Sequence, residues 1–336
     1  MRFGPVDPSK AAGCILAHSI SLGQGKRLRK GRVLTREDVS DLQAAGVTAI
    51  TVAALDADDV PEDEAAEMLA RAFVPDPAAQ GVERTKAFTG RVNLLATGPG
   101  VVEMDVAAVE AVNRVHPMIT MATVPPYQQM HPGGMVATIK IISYAVPRDA
   151  LAKACSLARE AIRVTGPVLA SVRLIISEIP GGAGDKGWRA ISDRVAAFGL
   201  QMSPPVMVAH TAEALADALL AQDSDLTLIL TGSATSDPED VAPAAVRAAG
   251  GQVDRFGMPV DPGNLLFIGS LKGAAVIGLP GCARSPALNG ADWVMSRVIC
   301  GIPVRDADIA AMGVGGLLKE IPTRPQPRRG RPGTPA

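Results

Sequence analysis

An apolar strand runs into a loop of small and hydroxylated residues at Leu228-Ile229-Leu230-Thr231-Gly232-Ser233-Ala234-Thr235-Ser236-Asp237-Pro238-Glu239-Asp240. Two related loops follow, Gly257-Met258-Pro259-Val260-Asp261-Pro262-Gly263-Asn264 and Gly278-Leu279-Pro280-Gly281-Cys282-Ala283-Arg284-Ser285-Pro286. Two of the three loops lead from a predicted strand into a predicted helix. In an open α/β sheet such loops meet at the carboxyl ends of the strands, where ligands bind. Exposed backbone N–H groups at a helix start suit a phosphate. We therefore predict an α/β fold with an anion-binding edge.

The residues just before these loops alternate between strand and helix patterns. Apolar strands are predicted at 172–176, 206–208 and 226–230, with helices at 188–198 and 212–221 between them. A glycine-rich loop with the sequence Gly-Gly-Ala-Gly-Asp-Lys-Gly precedes the first helix. Near-continuous apolar strands with intervening helices are typical of a sheet that is covered on both faces.

The residues further toward the N-terminus have different patterns. The first 80 residues predict a small α+β module, in which Thr35 and Asp38 have the spacing of a capping box with Asp in place of Glu or Gln. The next segment predicts mainly strands. The C-terminal end is rich in Pro, Arg and Gly, a composition that predicts disorder. We expect modules at 1–80, 81–168 and 169–322, and a disordered tail at 323–336.

Composition limits the classes of protein that the chain can belong to. Its 336 residues exceed one typical domain, and 47% are hydrophobic, which is enough for a sizeable core. Only 3% are aromatic, so the core must be largely aliphatic. The formal net charge of −1 argues against bulk attraction to nucleic acid or to an anionic membrane. Any anionic ligand must therefore be held by a local site.

The cysteines and the N-terminus indicate the compartment. Cys14, Cys155, Cys282 and Cys300 show no CxxC spacing, so neither a zinc site nor a disulfide framework is predicted. The N-terminus lacks the basic and apolar regions of a signal peptide. No apolar run approaches the roughly 18 residues that a membrane span requires. We expect a cytoplasmic protein with no membrane partner.

In order and spacing, the loops resemble the molybdopterin-binding (MoaB/Mog-like) domain of molybdenum-cofactor biosynthesis proteins. That family has a Thr-Gly-Gly segment ending in an acid, then Pro-Gly, then Gly-Leu-Pro-Gly. The corresponding residues here are Thr231-Gly232-Ser233 with Asp240, then Pro262-Gly263, then Gly278-Leu279-Pro280-Gly281. Asp185-Lys186-Gly187 also resembles the segment after the first strand in some members. Residues 11–52 and 312–318 are similar to parts of a bacterial, MoeA-like branch with a separate N-terminal module.

This resemblance implies a three-layer α/β domain at the C-terminus, preceded by smaller α+β and β-rich domains. Family members bind molybdopterin, a pterin phosphate, or its nucleotide form. Some members adenylylate molybdopterin and others insert molybdate, so an active chain would be a nucleotidyltransferase or a molybdenumtransferase. The resemblance also implies a homo-oligomer, with a molybdoenzyme or a nucleotidyltransferase as partner.

The residues expected at the ligand are small, hydroxylated or acidic. Small side chains let a phosphate approach the backbone, and hydroxyl groups donate hydrogen bonds to it. Asp240 is the candidate catalytic residue and the candidate Mg²⁺ ligand. The expected cofactor-binding residues are Thr231, Gly232, Ser233, Ala234, Thr235, Ser236, Asp237, Pro262, Gly263, Asn264, Pro280, Gly281, Cys282, Ala283 and Asp185.

Two departures from the family pattern favour an alternative function. Ser233 replaces the second Gly of Thr-Gly-Gly, and His210 stands where enzymatic members usually carry an acid. The loss of that carboxylate removes a plausible metal ligand, so binding can survive without catalysis. The alternative is a non-catalytic regulatory or scaffold protein that retains the domain.

Simpler structural roles stay open for several of these residues. The loop that ends at Asp240 can be an ordinary strand-to-helix turn with Asp237 as the helix N-cap. Asp185 can accept N–H groups within its own turn, and Cys282 can be a buried structural residue. Arg284 is either a phosphate ligand or part of a surface salt bridge.

Overall fold

A computed structural model describes residues 1–23 and 25–320, and the chain divides into two compact units. Unit 1 contains residues 1–98, 102–126 and 132–164, and unit 2 contains residues 99–101, 127–131 and those from 165 onward. Most of the two predicted N-terminal modules thus lies in unit 1. The boundaries predicted at 80/81 and 168/169 stay predictions, and the predicted tail at 323–336 lies outside the described residues.

The helices and strands are numbered along the described part of the chain. The helices are α1 Arg36–Ala44, α2 Glu62–Phe73, α3 Pro77–Gln80, α4 Val106–Val115, α5 Arg148–Ala158, α6 Trp188–Ala196, α7 Ala212–Ala221, α8 Val241–Ala248, α9 Gly290–Ile299 and α10 Asp306–Ala311. The strands are β1 Arg2–Val6, β2 Ile15–Leu16, β3 Ile20–Gly23, β4 Lys26–Leu28, β5 Ile50–Ala54, β6 Asp59–Pro61, β7 Val82–Arg84, β8 Arg91–Ala96, β9 Gly100–Met104, β10 Ile119–Thr123, β11 Gln129–Met130, β12 Met135–Ile141, β13 Ala145–Pro147, β14 Ile162–Thr165, β15 Val172–Glu178, β16 Val206–Ala209, β17 Leu226–Leu230, β18 Gln252–Phe256, β19 Phe267–Leu271 and β20 Ala274–Leu279.

Unit 1 is an α+β structure with two layers in its larger part. Strands β10, β12, β8 and β7 form an antiparallel sheet in that order, against which α2 and α4 pack. The inner face of α2 is fully buried, from Ala65 to Phe73. At the N-terminus, α1 begins at the predicted capping box: the Thr35 hydroxyl accepts the Asp38 N–H, and the Asp38 carboxylate accepts the Thr35 N–H. This expectation is confirmed.

Unit 2 is built on a six-stranded sheet in the order β16-β15-β17-β20-β19-β18. The first four strands run parallel, β19 is antiparallel to β20, and β18 is antiparallel to β19. Strand β18 therefore points in the same direction as the four parallel strands. The carboxyl ends of β15, β16, β17, β20 and β18 all lie at one edge of the sheet.

Helices cover both faces of this sheet, as the apolar strands predict. Alternate residues of each strand point to opposite faces. Leu174 and Ile176 pack in a core with α6 and α9, whereas Ile175 and Ile229 pack in a second core with α7 and α8. The chain is thus a mixed α/β protein, and in unit 2 a sheet lies between two helical layers.

The chain order reverses direction between two neighbouring strands of this sheet. From β15 the chain passes through α6 to β16 on one side, then through α7 to β17 on the other side of β15. A crevice forms at such a switch point, at the carboxyl ends of the strands, and is the usual ligand site of open α/β sheets. The loops that follow β15 and β17 border it here. Over the described ranges, no helix has both the length and the apolarity to cross a lipid bilayer.

Candidate functional site

The loop from Thr231 to Asp240 follows β17 directly and lies against the end of β15. A Cβ atom at Gly232 would lie 2.8 Å from the Ser177 carbonyl oxygen and 3.0 Å from the Ile179 nitrogen. Real Cβ contacts are not that short, so this position needs glycine to let the loop pack on the strand. Gly232 therefore has a structural reason to be glycine, apart from any ligand.

The small and hydroxylated residues of this loop separate into buried and exposed groups. Thr231 and Thr235 are buried, and their hydroxyl oxygens lie 3.3 Å apart. Ser233, Ala234, Ser236 and Asp237 are exposed. The exposed hydroxyl groups of Ser233 and Ser236 are consequently better placed to meet a ligand than that of Thr235.

Ser177 joins the ends of three strands at the switch point. It is the sixth residue of β15, and its side chain is almost completely buried at 1% exposure. Its Oγ accepts the Gly232 N–H over 3.3 Å and lies 2.8 Å from Nδ1 of His210, the residue after β16. The His210 N–H donates to the Glu178 carbonyl oxygen over 3.0 Å. His210 is thus held at the same crevice as the loop after β17.

Asp240 is the N-cap residue of α8. Its Oδ1 accepts the Val241 N–H over 2.7 Å, and its Oδ2 accepts the Ser236 N–H over 2.9 Å. Because these backbone donors stabilise the ionised form, the Ser236 N–H first and the Val241 N–H second, the pKa of Asp240 is lowered, and the charge of His210 adds to this effect. The carboxylate fixes the loop geometry and carries a negative charge at the candidate site.

The alternative that makes Asp237 the helix N-cap is wrong. Helix α8 begins at Val241, and Asp237 instead accepts the Glu239 N–H over 2.8 Å. The physical reason is Pro243. In a helix starting after Asp237 it would fall in the interior, where proline removes a hydrogen bond and clashes with the preceding turn. With Asp240 as N-cap, Pro243 is the third residue of the helix, in the first turn, where proline is tolerated.

Arg284 connects the three loops nearest to the switch point. It lies in the 3-10 helix Gly281–Arg284 that follows β20, and its guanidinium is half-buried. Its Nη2 donates to the Thr231 carbonyl oxygen over 2.9 Å, and its Nη1 donates to those of Lys186 and Gly184. Burial lowers the pKa of Arg284. The guanidinium binds backbone carbonyl oxygens of the loops themselves and forms no salt bridge with any described residue, whereas its expected role as a phosphate ligand stays a prediction.

The loop after β15 is shaped to accommodate this arginine. Gly187 has a φ of 103°, and a Cβ atom there would lie 2.8 Å from the Arg284 Cα. Asp185 is exposed, and its carboxylate accepts no hydrogen bond from any residue that the structure describes. The turn is therefore closed by backbone groups, such as the Trp188 N–H that donates to the Asp185 carbonyl oxygen. The Asp185 carboxylate is left facing solvent.

Strand β20 and the loop after it contain two glycines of the motif, and the structure explains only one of them. A Cβ atom at Gly278 would lie 1.9 Å from the Phe267 ring, so packing requires glycine there. At Gly281, by contrast, no described atom beyond the chain neighbours lies within 4 Å of such a Cβ atom. Gly281 is also in a 3-10 helix, a conformation that any residue adopts. Nothing in the fold explains this glycine, and the space beside it is open.

The remaining predicted residues of this loop differ in exposure. Pro280 and Ala283 are buried, and Cys282 is half-buried. Cys282 forms no disulfide. The Ala283 N–H donates to the Pro280 carbonyl oxygen over 2.9 Å and closes the short helix. Gly281 is the exposed member of the group.

The loop after β18 reaches the same edge of the sheet but contacts different partners. Gly263 packs on the start of α9, and the Gly290 N–H donates to the Pro262 carbonyl oxygen over 2.8 Å. Asp261 pairs with the segment near residue 318, where Leu318 N–H donates to its carbonyl oxygen over 2.8 Å. Asn264 is exposed. Within the described residues, no hydrogen bond joins this loop to Thr231–Asp240.

The structure therefore brings together some of the predicted residues and adds others. It gathers the loops of Asp185, Thr231 and Gly281 through Arg284, and it leaves Pro262 and its neighbours further along the edge. Sequence reasoning missed Ser177, since a serine inside an apolar strand resembles a tolerated core residue. The only signal was that polar residues at the carboxyl end of such a strand face the ligand edge.

The residues fit a magnesium ion only together with a phosphate. Among residues 1–23 and 25–320, no group of three or more His, Cys, Asp or Glu side chains is arranged to hold a metal. Mg²⁺ is often held by one or two carboxylates plus substrate phosphates. Asp240 keeps acceptor capacity on its two oxygens, so it can supply one such ligand.

Comparisons with known proteins give a family match over a short segment and matches to solved structures. A family model described as a domain of unknown function (DUF8806) matches residues 5–54. Among curated proteins, none matches the chain. A solved structure of the molybdopterin biosynthesis MoeA protein from Pyrococcus horikosii is similar over 89% of this chain and 75% of that chain, with 14% identity and a TM-score of 0.32. At that TM-score the likeness supports no argument about this chain.

Proposed function

We propose that the chain binds molybdopterin, or its nucleotide-activated form, during biosynthesis or maturation of the molybdenum cofactor. The observation that carries the proposal is the convergence of three motif-bearing loops at the switch point of the sheet. Arg284 holds the Asp185 and Thr231 loops against its own loop. The motif order, which resembles the molybdopterin-binding domain, gives the ligand its class.

The exposed groups of these loops suit a phosphorylated pterin. The backbone beside Gly281 is open to a ligand, and Ser233 and Ser236 present hydroxyl groups on the loop that Arg284 holds against it. Asp240 would hold Mg²⁺ at the phosphate if the chain transfers a nucleotidyl group or inserts molybdate. Bound magnesium would neutralise phosphate charge there. We further propose a cytoplasmic homo-oligomer that delivers its ligand to a molybdoenzyme or a nucleotidyltransferase.

A binding titration tests this proposal. Molybdopterin, adenylylated molybdopterin and AMP are titrated into the full chain by calorimetry, with a Gly281→Leu variant as the site control. We expect saturable binding of a pterin form and a loss of at least tenfold in affinity in the variant, because its side chain fills the open space. No binding of any of these ligands, or equal binding by the variant, would contradict the proposal.

A non-catalytic role is the second candidate, and the position of Asp240 favours it. Its carboxylate already accepts two backbone N–H groups and caps a helix, and His210 occupies the place of the usual family acid. Asp240→Asn distinguishes the two roles because asparagine also caps helices well. Unchanged binding with lost turnover would indicate a catalytic carboxylate. Binding without turnover in the native chain would indicate a carrier or scaffold.

A further inference from the structure

A second possible ligand site lies at the opposite edge of the six-stranded sheet. A cavity of about 260 Å³ opens there, where β15, β17 and β20 begin and the turn between β19 and β20 comes close. Its polar lining includes Arg173, Asp223, Thr227 and Lys272, and its apolar lining includes Leu219 and Val276. None of these residues belongs to the loops of the proposed molybdopterin site.

Arg173 is held in a fixed position in this cavity. Its Nε donates to the Thr227 hydroxyl over 2.9 Å, and its Nη1 and Nη2 donate to the carbonyl oxygens of Ala218 and Leu219 over 3.0 and 2.8 Å. Thr227 is itself buried, at 4% exposure. A guanidinium has five N–H donors, and these bonds use three of them. Two donors are left for a ligand on a group that is already oriented.

The charges of the cavity do not balance. No carboxylate among the described residues lies within ion-pair distance of Arg173. Asp223 lies 3.2 Å from the Lys272 ammonium, so one carboxylate faces two cations. Burial lowers the pKa of Arg173, which reflects poor hydration of its charge, and Asp223 only partly opposes this effect. A charge that is half-buried without an ionic partner favours binding of an anion.

We propose that this cavity binds a small organic acid, with its carboxylate at Arg173 and Lys272 and its short aliphatic chain against Leu219 and Val276. The apolar lining gives an organic acid an advantage over inorganic phosphate, which has no apolar part. The volume lies just below the range of about 300–1,000 Å³ that is usual for drug-sized ligands, so a short organic acid has ample room. The ligand would bridge the end of α7 and the turn after β19.

Amide chemical shifts of the full chain test the proposal. Butyrate is the probe. Its comparisons are n-butylamine, which has the same aliphatic chain but a positive charge, and inorganic phosphate, which is an anion without an apolar part. We expect butyrate to give saturable shifts at residues 222–227 and 271–276, with a dissociation constant of about 1 mM or lower. Lys272→Gln removes one exposed cation and should weaken butyrate about two- to fivefold. Lys186→Gln, an exposed lysine at the other edge of the sheet, should change nothing.

Arg173→Gln should abolish the butyrate shifts, and its far-UV circular dichroism shows whether it folds. If it does not fold, Lys272→Gln still decides the outcome. The proposal is overturned if butyrate gives no saturable shift at about 10 mM, ten times a dissociation constant of 1 mM. It is also overturned if butylamine or phosphate binds as tightly, or if Lys272→Gln and Lys186→Gln behave alike.

Discussion

Replacing Arg284 by methionine should loosen the loops of the candidate site and destabilise unit 2. The substitution keeps much of the aliphatic length but removes every donor to the carbonyl oxygens of Thr231, Lys186 and Gly184. Hydrogen bonds from a charged group contribute about 1.5–3 kcal/mol each, and the contact with Gly184 is long at 3.4 Å. Two good bonds would thus contribute about 3–6 kcal/mol in full.

Two effects reduce that figure. The guanidinium is half-buried, so water can reach some of the freed carbonyl groups. Its removal also relieves the cost of holding a charge away from water, a cost that lowers the pKa of Arg284. We therefore expect the free energy of unfolding to fall by about 2–3 kcal/mol.

Urea unfolding followed by tryptophan fluorescence measures this change. Trp188 and Trp293 are the two tryptophans of the chain, and both lie in unit 2, so the signal reports that unit. Arg247→Met is the matched control because Arg247 pairs at the surface with Glu239 and donates to a single carbonyl oxygen, that of Pro238. It should cost less than about 1 kcal/mol.

Hydrogen exchange gives an independent measure of the loops. In Arg284→Met, amides of 184–187 and 231–236 should exchange faster, whereas those of β17 should change only with global stability. The reasoning is refuted if the variant lies within about 0.5 kcal/mol of the native chain, the range of ordinary surface substitutions, and loop exchange is unchanged.

Three further predictions concern single residues. Gly281→Ala should raise the free energy of unfolding by about 0.4–1 kcal/mol, because helical backbone favours alanine. Gly278→Ala should instead lower it by about 1–3 kcal/mol through overpacking. Thermal unfolding compares the two variants, and equal effects would contradict the conclusion that packing requires glycine at 278 but not at 281. Ser177→Ala should cost about 0.5–1.5 kcal/mol because it removes the hydrogen-bond partner of two half-buried groups, the Gly232 N–H and the His210 ring. A neutral result in urea unfolding would show that water replaces the hydroxyl. Asp240 has a lowered pKa in the folded chain, so its stabilising effect is present above the unfolded pKa near 3.8 and is lost as the pH falls through the folded pKa. The difference in unfolding free energy between the native chain and Asp240→Asn should therefore shrink below about pH 4. A difference that grows on acidification would contradict this prediction.

Local patterns predicted much of unit 2 from the sequence. Helix 212–221 and strand 226–230 have the bounds that were expected, and the Thr35 capping box forms as predicted. These features depend on residues close together in the chain, and their hydrophobic periodicity is strong. The position of Asp240 as N-cap was also available in principle, because Pro243 has to lie in the first turn of the helix and Asp240 is the good N-cap residue just before it.

The contacts that build the candidate site were not available in the same way. Arg284 binds backbone carbonyl oxygens, and every residue carries one, so no side-chain pattern shows which loops it joins. Ser177 contacts His210 and Gly232, which follow the two strands next to β15, and those neighbours are known only once the sheet order is known. Packing requires glycine at Gly278 because the Phe267 ring lies beside it, and nothing comparable lies beside Gly281. This difference depends on contacts in the folded chain that the sequence does not show.

The sheet order also sets the distance between the strand ends that carry two of the candidate loops. Strands β17 and β18 are separated by β20 and β19, so three inter-strand spacings of about 4.8 Å, about 14 Å in all, lie between their carboxyl ends. The Thr231 and Pro262 loops follow these two strands, and the hairpin of β19 and β20 lies between them. A single phosphate is too short to touch both loops at once. A ligand that contacts both strand ends would have to span about 14 Å.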